Sequence, residues 1–137
     1  MKRSLWIGLA AAIFGSLACG AADAAATVAP KGKHALAGDQ VLTALTVSYA
    51  PGETSGPHRH GAAAYVYVLS GEIRSQVEGE RAPRIYKAGE SWFEPAGAHH
   101  LVSGNASRTA PASMLVVFVG PADAVLTTPD KPSAAPD

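Results

Sequence analysis

Three histidines are the residues of this chain most suited to chemistry. His58 and His60 stand one residue apart in the run Gly52-Glu53-Thr54-Ser55-Gly56-Pro57-His58-Arg59-His60, and His100 follows forty residues after His60. Alternate side chains of a strand point to one face, so an H-x-H pair in extended chain presents two imidazoles side by side. Two such imidazoles can share a metal ion, and a third from a distant segment completes the set.

The elements that must hold these residues read as strands. From Val41 the apolar residues come in short runs broken by Gly and Pro, with no 3.6-residue pattern. Val41 to Tyr49 is expected as a strand ended by Pro51-Gly52, and Ala62 to Leu69, with its Tyr-Val-Tyr-Val series, as the strongest one. Glu72 to Glu78 alternates charged and apolar residues, Glu78-Gly79-Glu80 marks a hairpin tip, and Arg84-Ile85-Tyr86 returns. A short strand Ser91 to Glu94 precedes the turn Pro95-Ala96-Gly97, placed just before His99-His100. Met114 to Val119 is a continuous apolar run between Pro111 and Gly120, expected as a buried strand. Many short strands with turns between them predict an all-β antiparallel barrel or sandwich.

The flanks read differently. Met1-Lys2-Arg3, the apolar stretch Leu5 to Leu17 and the small residues up to Ala26 have the layout of a secretory signal peptide over 1–26. The protein is therefore expected to be exported, periplasmic or secreted. Cys19 lies inside this segment; lipidation there is the weaker reading, because Ser16 stands where lipoprotein signals usually place Leu. Residues 27–40 are expected to form an arm or edge strand, 41–120 the barrel, and 121–137, rich in Pro and Ala, a disordered tail. The whole chain has 11 basic and 11 acidic side chains. Without Lys2, Arg3 and Asp23 it carries a formal charge of minus one, which steers it to neither nucleic acid nor an anionic membrane. A single domain this small is helped by pairing with a second copy, so a homodimer is expected.

The chain resembles the small single-domain cupins of the RmlC-like type. Gly52, His58, His60 and Gly71 match the first cupin motif, G-x5-H-x-H-x3,4-E-x6-G, at the right spacing. Gly89, Pro95, Gly97 and His100 match the second, G-x5-P-x-G-x2-H-x3-N. The resemblance covers about Val41 to Val119 and implies a double-stranded β-helix, or jelly-roll barrel. It departs from the pattern twice. Ala64 stands where the first motif has its Glu, and Gly104, with Asn105 one residue late, where the second has its Asn.

Carried over residue by residue, the resemblance makes His58, His60 and His100 the metal ligands, with no carboxylate from the first motif. Three neutral imidazoles suit a divalent transition metal (Fe, Zn, Ni, Cu or Mn) better than Mg or Ca, and leave the ion open positions. The P-x-G-x2-H spacing selects His100 over its neighbour His99. The plain alternative is a barrel in which the histidines only hydrogen-bond. Glu94 is read either as a base or a group orienting an imidazole, or as an ordinary surface Glu. Tyr65 and Tyr67 are candidates for core or pocket wall or, being opposite in parity to Ala64, for a dimer contact. Trp92 and Phe93 are candidates for core or pocket wall. Glu53 and Arg59 are expected at the rim and His34 in solvent.

Three function classes follow. They are a dioxygenase-like metalloenzyme acting on a small oxygenated or chelating molecule, a metal-dependent isomerase, decarboxylase or hydrolase, and a module that binds metal or ligand without turnover. No Ser/His/Asp or Cys/His nucleophile arrangement and no phosphate loop can be assembled from the chain.

Overall fold

The computed structural model describes residues 26–131. The leader, Cys19 and residues 132–137 lie outside them. Eleven strands and no helix are found among the described residues. Five strands form one antiparallel sheet in the order β1 (Thr27–Ala35), β2 (Gln40–Tyr49), β10 (Ala112–Pro121), β5 (Ala63–Ser70) and β8 (Ser91–Glu94). The second sheet runs β11 (Thr128–Pro129), β4 (His58–Arg59), β9 (His99–Asn105), β6 (Glu72–Val77) and β7 (Arg84–Lys87), with β3 (Thr54–Ser55) also paired to β9.

Parity fixes the core. Along β5, Ala64, Val66 and Val68 are buried while Tyr65, Tyr67 and Leu69 are exposed. Along β10, Met114, Val116 and Phe118 face inward and meet Ile73 and Tyr86 from the other sheet. The apolar run of β10 is buried on that face; on the other, Leu115 and Val117 are half-buried and Val119 is exposed. At the β5–β6 turn Gly71 has φ +69°, and a side chain there would run into the Pro111 carbonyl at 2.6 Å.

Two expectations are corrected. The H-x-H segment is a strand only over His58–Arg59; His60 lies beyond it, tied instead through its backbone to Ala98 and Gly97. The tail expected to be disordered from Pro121 is ordered through Lys131 and folds back across the histidine segment. Gly61 N–H donates to the Val125 carbonyl at 3.0 Å and Asp130 N–H to that of Pro57 at 3.0 Å, while Ala124 and Leu126 pack on the core. Gly61 permits this approach, because a Cβ there would collide with Val125 O.

Candidate metal centre

The register of the second sheet brings the histidines together. His58 on β4 sits opposite His100 on β9. His60 enters from the loop after β4, its ring 4.8 Å from that of His58 and 6.1 Å from that of His100. One ring nitrogen from each of the three lies within 4.8 Å of the others. His60 and His100 are buried and His58 is half-buried, at one side of a cavity of about 770 Å³.

Each ring is oriented through a nitrogen held by another group. His58 Nδ1 donates to the Gly56 carbonyl at 2.8 Å, and His60 Nδ1 to the Leu126 carbonyl at 2.8 Å, so each keeps Nε2 free. His100 Nε2 shares a 2.9 Å hydrogen bond with the buried Ser75 hydroxyl. Burial pushes the pKa of His60 below the ordinary imidazole range, against the opposing pull of the Leu126 carbonyl and Glu94. Burial, and then the neighbouring His58 and His60, push His100 down to about 3. Both rings are therefore neutral near pH 7, as ligation requires.

Glu94 is not a surface residue. It is fully buried at the end of β8, where its carboxylate lies against two of the three imidazoles. Oε2 is 3.5 Å from His60 Nε2, and Oε1 is 3.4 Å from His100 Nδ1. Trp92 Nε1–H donates to Oε1 at 2.7 Å, and the indole in turn stacks on Tyr86 with 4.5 Å between centroids. Oε2 has no hydrogen-bond partner among the described residues. A buried carboxylate oxygen without a donor, beside two neutral imidazoles, is an arrangement that a cation completes. The donors present thus fit a divalent transition metal.

His99 turns away from the cluster, with Nε2 2.8 Å from Asp130 Oδ2 and Nδ1 3.1 Å from the Arg59 guanidinium. Arg59 and His34 are exposed. Glu53 is half-buried, and its carboxylate folds back to accept the Ala50 N–H at 2.6 Å. Asn105 is structural: its amide donates to the carbonyls of Ala50 and Ala110, and its oxygen accepts from Ser107 N–H. Phe93 is exposed, whereas Trp92 is half-buried and packs against the core; neither lines the cavity.

The rest of the cavity wall is largely apolar, with Leu45, Val47, Val66, Met114, Val116 and Phe118. Tyr49 supplies its polar stripe: the hydroxyl hydrogen-bonds with Ser103 at 2.8 Å and Ser55 at 2.9 Å, and burial raises its pKa, so it stays protonated. Ser75, Tyr49 and the Leu126 carbonyl escaped sequence reasoning. Ser75 shares inward parity with Ile73, which is the one available signal; nothing in the sequence marks a backbone carbonyl.

No curated protein sequence matches the chain. Among solved structures, the DMSP lyase DddQ from Ruegeria pomeroyi DSS-3 superposes with a TM-score of 0.64 at 23% identity, over 81% of this chain and 54% of the lyase. An oxalate oxidase in complex with the substrate analogue glycolate gives 0.51 at 31% identity, over 56% of this chain and 41% of the oxidase. An RmlC-like cupin with a double-stranded β-helix fold, from Methanocaldococcus jannaschii, gives 0.57 at 16% identity, over 72% of this chain and 83% of that one. This chain thus spans about half the length of the two enzymes. The cupin domain model matches residues 45–118, which takes in both histidine segments and the strands that hold them. The chain belongs to the cupin family.

Proposed function

We propose that the chain is an exported cupin enzyme that holds one divalent transition metal on His58, His60 and His100 and acts, dioxygenase-like, on a small chelating molecule with an apolar body. The observation that carries this reading is the convergence of three imidazoles at one side of a cavity walled mainly by Val, Leu, Met and Phe. A bound divalent ion supplies Lewis acidity and open positions for a pair of substrate oxygens and, with iron, for O2. The protein's part is orientation and exclusion. The carbonyls of Gly56 and Leu126 aim Nε2 of His58 and His60, and the apolar wall holds a hydrocarbon body while keeping water out. The hydroxyls of Tyr49, Ser55 and Ser103 offer hydrogen bonds to a substrate oxygen.

The similar oxalate oxidase and DMSP lyase support small-molecule chemistry on this fold. The cavity itself favours a diketone-like substrate over a small dianion, because Lys131 is the one cationic side chain among its lining residues. Export rests on the leader layout of residues 1–26. The homodimer is assigned to the outer face of β5 and β8, where Tyr65 pairs with Phe93 and both, with Tyr67 and Leu69, are exposed.

The test is metal analysis of the mature chain purified without a histidine tag, followed by oxygen uptake by the iron-loaded protein with diketone and thiol panels. One metal per chain and uptake with a panel member are expected. A chain that refuses Fe, Zn, Ni, Cu and Mn sinks the metal centre; metal without turnover transfers the reading to a binding module.

A further inference from the structure

The first cupin motif places its carboxylate on β5, at the position Ala64 occupies. In the antiparallel register of β5 and β8, the residue directly opposite Ala64 is Glu94. Directly opposed residues have Cβ atoms about 4.5–5.5 Å apart on one face of the sheet, so either position can feed a side chain into the same space. Ala64 is fully buried and small, which leaves that space to the longer side chain of Glu94.

We propose that Glu94, through Oε2, is the fourth metal ligand, supplied from β8 in place of the β5 carboxylate. The inference rests on the three-histidine centre above. Its core is the pairing of atoms. His60 spends its Nδ1 proton on the Leu126 carbonyl, so Nε2 and the partnerless Oε2 of Glu94 face each other at 3.5 Å with two lone pairs. That separation is too long for a good hydrogen bond between them. It suits two neighbouring ligands of one ion that keeps further positions open: with bonds of about 2.0–2.2 Å, adjacent donors lie about 2.8–3.6 Å apart between octahedral and tetrahedral angles. The other oxygen is already committed to Trp92 Nε1–H, which fixes the carboxylate plane and leaves Oε2 as the free donor. An uncompensated carboxylate in this position is costly to bury, and a cation between it and the imidazoles removes that cost.

Titration of the tag-free mature chain with Co2+, followed by its visible bands, tests the assignment. Glu94→Gln keeps the side-chain shape and the acceptor for Trp92. It is expected to weaken Co2+ binding at least about 10-fold, to alter the bands, and to leave the metal-free fold as stable as wild type or more so. The double variant Ala64→Glu/Glu94→Gln returns the carboxylate to β5 and is expected to recover affinity. A measurement on the wild type alone covers the case of a variant that does not fold: the infrared carboxylate stretch shifts when Zn2+ is added. Wild-type binding with unchanged affinity and bands in Glu94→Gln, or no carboxylate shift, overturns the proposal while leaving the histidine centre standing. A wild type that takes up no metal overturns the histidine centre itself.

Discussion

The five-stranded sheet contains long, alternating strands such as β2, β10 and β5, whereas the sheet carrying the histidines is assembled partly from two-residue pieces such as β3, β4 and β11. In the first sheet, order comes from apolar side chains, and each inward residue supports the next through packing. In the second, order around the site comes from single hydrogen bonds: Gly56 O on His58, Leu126 O on His60, Ser75 on His100. The difference separates two properties of the molecule. Most buried apolar side chains lie in one sheet, and ligand geometry at the other is held by two backbone carbonyls and the buried Ser75 hydroxyl.

This contrast can be broken by substitution. The largest effect is expected from His60→Ala or His100→Ala, which should reduce metal content from one per chain to near zero by elemental analysis, with the fold intact by circular dichroism. Full retention of metal in either variant would dissolve the division. Val68→Ala, in the fully buried middle of β5, should do the opposite, costing roughly 2 kcal/mol in chemical denaturation with unchanged metal content.

Acidification sharpens the comparison from the side of the histidines. Since the folded-state pKa values of His60 and His100 lie below the ordinary 6.5, the unfolded chain takes up protons that the folded chain refuses. Stability of the metal-free protein is thus fully present above pH 6.5 and declines as pH falls, for His100 down to about 3. The slope is up to about 1.4 kcal/mol per pH unit for each histidine, read from denaturation midpoints at pH 7 and pH 4.5. A flat profile would mean that these rings are not held neutral. The smallest effect is expected on the outer face of β5. Tyr65→Ser should change stability by no more than about 0.5 kcal/mol and leave metal binding alone, while light scattering shows a shift from dimer to monomer.

Much of this architecture was legible because period-two patterning is a property of the residues themselves. The parity of Tyr65 and Tyr67 against Ala64 points them outward, although as aromatic residues they also read as core, and Ser91 to Glu94 announces a strand with the observed bounds. The P-x-G-x2-H spacing also separated His100 from His99, since neighbours on a strand point to opposite faces. What could not be read is whatever depends on pairing across the sheet. The register that sets Glu94 opposite Ala64 is a relation between two segments, and neither segment encodes it alone. The ordered tail was hidden for a similar reason: Pro, Ala and Asp describe a flexible chain until Gly61 opens a place for Val125.

The contact between Trp92 and Glu94 has an optical consequence. The chain contains two tryptophans, and in a form lacking residues 1–26 only Trp92 remains. Its indole N–H is bonded to the carboxylate that faces the histidines, and its ring lies on Tyr86. Any cation entering the cluster changes the electric field at that indole, so the tryptophan emission of such a form comes from a single indole hydrogen-bonded into the site.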